Sequence, residues 1–529
     1  MPRRGRNVAS AVPGVAPSRG VEGLSYWRGS PVDVPDTDTQ TPDADANAAA
    51  ALGDLLAVRT GVLEDARQTL EQIGADPADP DLLNLAHYLS LRRHDLRPLQ
   101  RRLTSLGLSS LGRLEGRVRP SLDATVVALA ALCRSPVDVR PPSSEEFFAG
   151  ERRLAAESDL LFGPRRARRR TRIMVTLPTD AGLDRDLAEQ VVGAGADVVR
   201  INCAHDDPDL WRAMAGNLRA AAAVRGHRLS VLMDIAGPKL RTGSVGRAGK
   251  DDRLRPGDRF ALVERPELLD GIALAHAASI ATGGIVAGIL PGERVRYDDG
   301  KLEGVVDSNA DGVAMVRVSR AKAIGVRLKP DKGLNFPDSD LAVSALTHKD
   351  RDDLRIVVEL ADIVGYSFVS RPSDIDVLDE ALRDLVRPAG RSIGLVAKIE
   401  RPEAVRNLPA LIARARKRGP FGIMIARGDL AAELGFERLA EMQEEILWLA
   451  EAARVPVIWA TQVLESLIKD GVPSRGDMTD AAMAARAECV MLNKGPHVTE
   501  AMALLDGLLE RMDGHLFKKS PLLRALKSW

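Results

Sequence analysis

A few short polar groups in this 529-residue chain could act together on an acidic, phosphate-bearing substrate. Glu400 and Asp429 offer hard carboxylate oxygens. Two carboxylates completed by water and substrate oxygens are the usual way to hold Mg²⁺ or Mn²⁺. Lys398 and Arg200 would set fixed positive charge beside that metal, which suits a migrating phosphoryl group or a developing enolate. Gly428-Asp429 opens a predicted helix whose free N–H groups could take a carboxylate or phosphate. Thr461 offers a hydroxyl for proton relay or orientation. Each group alone is commonplace, because a Lys-x-Glu or an Arg-Gly-Asp is more often a solvated loop. Their joint placement is what argues for a site: each follows directly on a short apolar run.

Those runs are RIMVT (172–176), DVVRIN (197–202), LSVLMD (229–234), DIVGYSF (362–368), IGLVAK (393–398), FGIMIA (421–426), VPVIWA (455–460) and CVMLN (489–493). Apolar on both faces, they suit strands buried in a parallel sheet. Helical stretches such as DLAEQVVGAG and ERLAEMQEEILWLAEAA separate them. Eight strands joined by helical crossovers are the count for a (β/α)₈ TIM barrel. One interval, between the ends at 234 and 367, is too long by roughly 100 residues for a plain crossover. Its excess has alternating strands joined by Gly/Asp turns, as in PGERVRYDDGKLEGVV and GVAMVRVS. The fold expected is therefore α/β: a TIM barrel in two parts, 169–242 and 336–513, with an all-β lid, 243–335, inserted after the third strand. Polar residues then collect at one mouth. They are Arg200, Asn202 and His205; Asp234, Lys239 and Arg241; Ser367; Lys398 and Glu400; Gly428 and Asp429; Thr461; and Asn493.

The rest of the chain is less pointed. Residues 1–46 are rich in Pro, Gly, Asp and Thr and are read as a disordered tail, its Arg-bearing start a basic tail rather than a transit signal. Residues 47–168 form a helical N-terminal extension and linker, with Leu52, Leu55, Leu56 and Leu63 near helical spacing. His87 and His94 lack a third ligand and read as helix surface. The basic run 163–172 reads as a solvated linker, and 514–529 as a C-terminal tail. Lys+Arg and Asp+Glu both total 74, which gives no global reason for a nucleic-acid partner. Aromatics at 3 % argue against base-stacking platforms. The 3 cysteines form no close pair, which fits a reducing, cytoplasmic setting. No apolar run reaches the ~18–20 residues of a membrane span.

In order, RIN-x-x-H, D-x-x-GPK-x-RTG, KIE, ARGDLAAELG, PVIWATQVLESL, PSRGDMTDAA and VMLNKG resemble pyruvate kinases over about residues 170–513. PGERVRYDDG and DKGLNFPD resemble the family's mobile lid. The resemblance implies phosphoryl transfer between phosphoenolpyruvate and ADP, giving pyruvate and ATP. It implies Glu400 and Asp429 as ligands of the divalent metal, and Lys398 as stabiliser of the moving phosphoryl group. Arg200 would bind the phosphate, and Thr461 would lie near the enolate carbon. The N–H groups of Gly428 and Asp429 would take the carboxylate, with Ser367 on the substrate side. Asn202, His205, Arg241 and lid Lys332 would face the nucleotide. A homodimer through the barrel would fit the family.

The departures carry information too. Where many family members bind K⁺, Asn202 and Asp234 remain, but Ala204 and Ile235 replace Ser and Thr, and Lys239 replaces an acidic residue. A tethered ammonium at Lys239, beside Asp234, would replace the ion, so K⁺ is not expected to be required. Ala236 stands where Lys is usual, MLNKGP replaces MLSGET, and TLPTDA replaces TIGPAS. The family's C-terminal regulatory domain has no counterpart in this sequence, and sugar-phosphate activation through it is not expected. Two other readings stay open. One is a Mg²⁺-dependent barrel lyase or hydrolase acting on oxaloacetate- or enolpyruvate-like acids. The other is a catalytically weakened homologue with a regulatory role. A requirement for ADP discriminates the first of these.

Overall fold

A computed structural model describes residues 44–247, 253–298, 300–339, 341, 343–385 and 392–523. Five helices come first: α1 (Ala44–Ile73), α2 (Pro80–Leu91), α3 (Arg97–Ser105), α4 (Val118–Leu132) and α5 (Ser144–Phe162). The expected disordered tail lies outside the described residues up to 43, and α1 begins at Ala44, just inside its expected end.

The next elements alternate: β1 (Arg172–Thr176), α6 (Arg185–Gly193), β2 (Val198–Asn202), α7 (Pro208–Val224) and β3 (Ser230–Ile235). Seven strands then interrupt the pattern: β4 (Thr242–Arg247), β5 (Arg259–Val263), β6 (His276–Ile280), β7 (Arg294–Tyr297), β8 (Leu302–Ala310), β9 (Val313–Ala321) and β10 (Leu334–Asn335). Alternation resumes with α8 (His348–Leu360), β11 (Ile363–Tyr366), α9 (Pro372–Arg383), β12 (Gly394–Ile399), α10 (Pro402–Arg406), α11 (Leu408–Ala415) and β13 (Phe421–Ala426). It ends with α12 (Arg427–Leu434), α13 (Phe436–Ala452), β14 (Val457–Ala460), α14 (Glu465–Asp470), α15 (Arg475–Ala484), β15 (Cys489–Leu492) and α16 (Val498–Asp513). A small hairpin, β16 (Leu516–Phe517) and β17 (Ser520–Pro521), follows.

Strands β1, β2, β3, β11, β12, β13, β14 and β15 close into a parallel barrel in sequence order, as the apolar runs predict. Seven of these eight strands are buried at every residue, all but β2, as a sheet lining a closed barrel under a layer of helices demands. The inserted sheet is different. β8 and β9 alternate buried and exposed residues, the mark of a sheet with one wet face. Its strand order is β10-β7-β8-β9-β5-β6-β4, and it has its own core around Phe260, Val295, Tyr297 and Val316.

The N-terminal extension is more than a neighbour of the barrel. The end of α5 inserts Leu161 and Phe162 among Met174, Val198, Leu232, Val396, Met424 and Ile458, which fill the barrel interior. Gly394 and Gly422 make room: a Cβ at either would lie 2.7 or 2.5 Å from Leu161. The helix is positioned by a full capping box between Ser143 and Glu146.

Two expectations are corrected here. His87 is buried, not on the helix surface, because α2 packs between α1 and α4 of the extension on one side and α13 on the other. Burial, with the Arg119 charge behind it, lowers its pKa to about 4. The basic run is not a solvated linker either. Arg169 is 2 % exposed, paired with Asp197 and Asp506 at 2.5 Å and bonded to the carbonyls of Thr171 and Gly195. Arg166 holds the other oxygen of Asp197 at 2.8 Å. These arginines tie the entry to β1 to the base of β2.

Candidate active site

The polar residues expected at the strand ends divide into two connected groups. At the centre of the first is Lys398 on β12. Its Nζ lies 2.9 Å from Glu400 Oε1, 3.3 Å from Asp234 Oδ2, and donates to Ser367 Oγ at 2.9 Å. Burial disfavours this ammonium, but Asp234 and Glu400 outweigh it and hold its pKa above the usual lysine value. Asp234 is likewise buried, yet Lys398 and Arg200 keep its carboxyl below the ordinary range. Arg200 grips Asp234 with two nitrogens, Nε at 2.9 Å, and reaches Thr176 Oγ1 at 3.2 Å. Ser367 donates to the Ile235 carbonyl at 2.6 Å, linking the ends of β11 and β3.

Glu400 is 1 % exposed, and its second oxygen accepts the Phe368 N–H at 2.6 Å. Burial, with the Asp429 charge adding to it, raises its pKa despite Lys398. That repulsion connects the second group. Asp429 and Gly428 stand in the first turn of α12, and the Gly428 N–H donates to Thr461 Oγ1 at 2.9 Å. Thr461, Gln462 and Leu464 all have positive φ (66, 58 and 52°) directly after β14. A β-branched residue in the left-handed region is strained by ~1–3 kcal/mol, a cost that clusters at functional sites.

The fit of a divalent cation is set by this donor set. Among the described residues no group of three His, Cys, Asp or Glu could hold a metal. Glu400 and Asp429 supply two carboxylates that repel one another, and Mg²⁺ or Mn²⁺ is commonly held by one or two carboxylates with water and substrate phosphate completing the shell. The residues present fit such an ion.

Lys239 departs from expectation. Its Nζ pairs with Asp429 Oδ1 at 2.7 Å, whereas Asp234 is taken by Arg200 and Lys398. The reason is local. Gly237 has φ 66°, a left-handed turn that carries the chain away from β3 and against Ser367 and Phe368. Lys239 is thereby delivered to the α12 side of the mouth, and the pairing of Lys239 with Asp234 does not form.

A cleft of about 620 Å³ lies between lid and barrel, with Lys239, Gly428, Asp429 and Gln462 on one wall and Arg296 and Arg320 on the other. The lid rests on α12: Arg296 donates to the Ala432 carbonyl at 2.6 Å, and Asn335 to Glu433 Oε1 at 2.7 Å. The four residues expected toward a nucleotide lie outside the lining of this cleft. Asn202 ends β2, its side chain accepting the Ala204 N–H at 3.2 Å, and His205 is exposed beyond it. Arg241 and Lys332 belong to the lid hinge. Arg241 donates to the Asp331 carbonyl at 3.1 Å, and Lys332 Nζ lies 3.5 Å from Asp298 Oδ1. None of the four lines the 620 Å³ cleft.

Sequence reasoning passed over the side chain of Arg427 and its partner Asp480, although both stand in quoted motifs. A signal was present: an arginine opening a helix beneath a barrel mouth must find an acid if it is buried. It also passed over Thr176 and Phe368, whose contributions come through a hydroxyl and a backbone N–H.

The family model described as pyruvate kinase, barrel domain, matches residues 168–497. Pyruvate kinase 2 of Synechocystis is 33 % identical over 356 residues, 65 % of this chain and 57 % of its own length. The pyruvate kinase of Methylorubrum extorquens is 33 % identical over 354 residues, 65 % of this chain and 69 % of its own. The match thus spans a little over half of the Synechocystis relative. A crystal structure of a pyruvate kinase from Cryptosporidium parvum shares the fold with a TM-score of 0.60 at 24 % identity, over 68 % of this chain and 73 % of that one. With the barrel, the inserted sheet and the match across residues 168–497, the chain belongs to the pyruvate kinase family.

Proposed function

We propose that the protein transfers a phosphoryl group between phosphoenolpyruvate and ADP, giving pyruvate and ATP. The observation that carries this reading is Lys398. Its buried ammonium is kept charged by Asp234 and Glu400 at the mouth where Gly428, Asp429 and Thr461 converge. A fixed, desolvated positive charge is what a dissociative phosphoryl transfer needs, because its transition state spreads charge over the equatorial oxygens.

The chain's own residues divide the work. Arg200 binds the phosphate, held in place by Asp234 and Thr176. The N–H groups at the start of α12 take the substrate carboxylate, with the helix dipole in their favour. Lys398 meets the phosphoryl group as its bond to the enol oxygen breaks and the bond to ADP forms. The Thr461 hydroxyl orients the proton that reaches the methylene carbon of the resulting enolate. The lid limits water that would otherwise capture the phosphoryl group. Glu400 and Asp429 would hold Mg²⁺ or Mn²⁺, which when bound supplies Lewis-acid polarisation of the phosphoryl and enol oxygens. Lys239 contributes the fixed charge that a K⁺ ion would otherwise bring, so turnover is expected without K⁺.

The test is pyruvate formation from phosphoenolpyruvate with Mg²⁺, with and without ADP, and with K⁺ replaced by tetramethylammonium. Turnover that needs ADP and not K⁺ is expected. Pyruvate formed equally well without ADP would move the assignment to a hydrolase or lyase.

A further inference from the structure

We propose that Arg427, locked by Asp480, is the positioning residue that joins the carboxylate-binding turn of α12 to Thr461, so that the two halves of the site move as one. The inference rests on the function proposed above. Arg427 occupies a singular place. Its backbone opens α12, directly before Gly428 and Asp429, while its side chain crosses to the end of the neighbouring strand β14.

The guanidinium uses its whole fork there. Nε donates to the Ala460 carbonyl at 2.9 Å, and Nη2 donates to the Thr461 carbonyl. Both terminal nitrogens hold Asp480, Nη2 at 2.7 Å. The plane lies 4.7 Å from the centre of the buried Trp459 ring. Arg427 itself is 9 % exposed. It touches neither the metal-binding carboxylates nor the 620 Å³ cleft.

Those two carbonyls flank the point where the chain turns into the left-handed region. Thr461 at φ 66° does not hold that conformation on its own account, since a β-branched residue disfavours it. Strain of this kind persists where the surroundings over-determine it. Here the surroundings are the Arg427 fork on one side and the Gly428 N–H on the Thr461 hydroxyl on the other. Asp480 fixes the fork from α15, so two successive βα units, those that follow β13 and β14, are tied through one side chain. A lysine carries its three N–H donors on one nitrogen and cannot span Ala460, Thr461 and Asp480 as the planar fork does.

The test uses the full chain with Arg427→Lys and Asp480→Asn, alone and combined. The first readout is kcat against KM for phosphoenolpyruvate. The second is solvent deuterium incorporation into the methyl group of pyruvate, which reports proton handling at the Thr461 side without phosphoryl transfer. Misplacement of a reacting group by about 1 Å costs on the order of 10²-fold. Both single variants are expected to lose about a hundredfold in kcat and in deuterium exchange, with KM changed less than about threefold. The double variant is expected to lose no more than either single, because one device is being broken. Wild-type kcat and exchange in both folded variants would overturn the proposal. So would a loss confined to KM with exchange intact, which would make Arg427 a carboxylate-binding aid only. If the unaltered chain makes no pyruvate, the proposed function fails, and the positioning claim is decided by hydrogen exchange at the Gly428 amide. At least about tenfold faster exchange in both variants supports it, and unchanged exchange overturns it.

Discussion

At the scale of single residues, the site is a balance of charges held at short range. Lys398 is the clearest instance. Burial argues against its charge, and two buried carboxylates argue for it more strongly. Lys398→Met should reduce phosphoryl transfer by ~10²–10³-fold, in line with removal of one preorganised electrostatic group. The fold and the proposed Mg²⁺ binding should hold, because Asp234 keeps Arg200 and the carboxylates of Glu400 and Asp429 remain, with a lower melting temperature because buried Glu400 loses its cation. Turnover at the wild-type rate in that variant would sink the assignment. Lys239→Glu should make turnover depend on K⁺, since the fixed ammonium against Asp429 is then gone; rates in K⁺ and in tetramethylammonium, compared side by side, check it. The types and order of these residues were legible in the sequence. Their pairings were less so. That Lys239 meets Asp429 depends on the left-handed turn at Gly237. Likewise, Arg427 finds Asp480 only because α12 and α15 meet above the same mouth.

At the scale of elements, the barrel strands could be read directly, because a strand buried on both faces leaves an unbroken apolar run. The lid could be read for the opposite reason, its strands alternating across a half-wet sheet. The role of α5 could not, because Leu161 and Phe162 look like any apolar helix end until the glycines opposite them are seen. Leu161→Ala should cost ~2–5 kcal/mol as a cavity opens in a filled barrel. Gly422→Ala should cost ~1–3 kcal/mol, since the added methyl meets Leu161 at 2.5 Å. Combining the two should cost less than their sum, because the smaller side chain at 161 makes room for the methyl. Denaturant melts of the three variants decide this, and strict additivity would show that the two positions do not share one space.

At the scale of the whole molecule, the extension, the barrel and the C-terminal hairpin are fastened by buried polar groups. Asn84 donates to the carbonyls of Glu115 and Ala452, and Asp81 pairs with Arg416, Arg153 and Arg454. Lys518 meets Glu488, and Lys519 meets Glu115. Between them sits Glu451. Burial, reinforced by the Glu115 and Glu488 carboxylates, pushes its pKa from 4.5 up to about 7 against the pull of Lys518 and Lys519. Across that window the folded chain holds a proton that the unfolded chain has lost, so this contribution to stability falls as pH rises. His87 runs the other way. Neutral in the fold down to about pH 4 and protonated in the unfolded chain below 6.5, it lends stability that is lost as pH falls through that range. The two oppose one another between pH 4.5 and 6.5. Glu451→Gln should therefore make the melting temperature climb more steeply with pH there, and His87→Leu should make it climb less or decline; identical profiles in all three proteins would refute the assignment. None of this network showed in the sequence, because an Asn or Glu on an amphipathic helix reads as solvated surface. Its span also sets a clock. The bond from Asn84 to Ala452 joins residues 368 positions apart. At ~5–20 residues per second of synthesis, the face of the extension that meets the barrel stands open for roughly 20–70 s before its partner leaves the ribosome. The contact of Lys519 with Glu115 comes later still, so a nascent chain that ends before Lys518 would hold its extension through Asn84 and Asp81, without this last fastening.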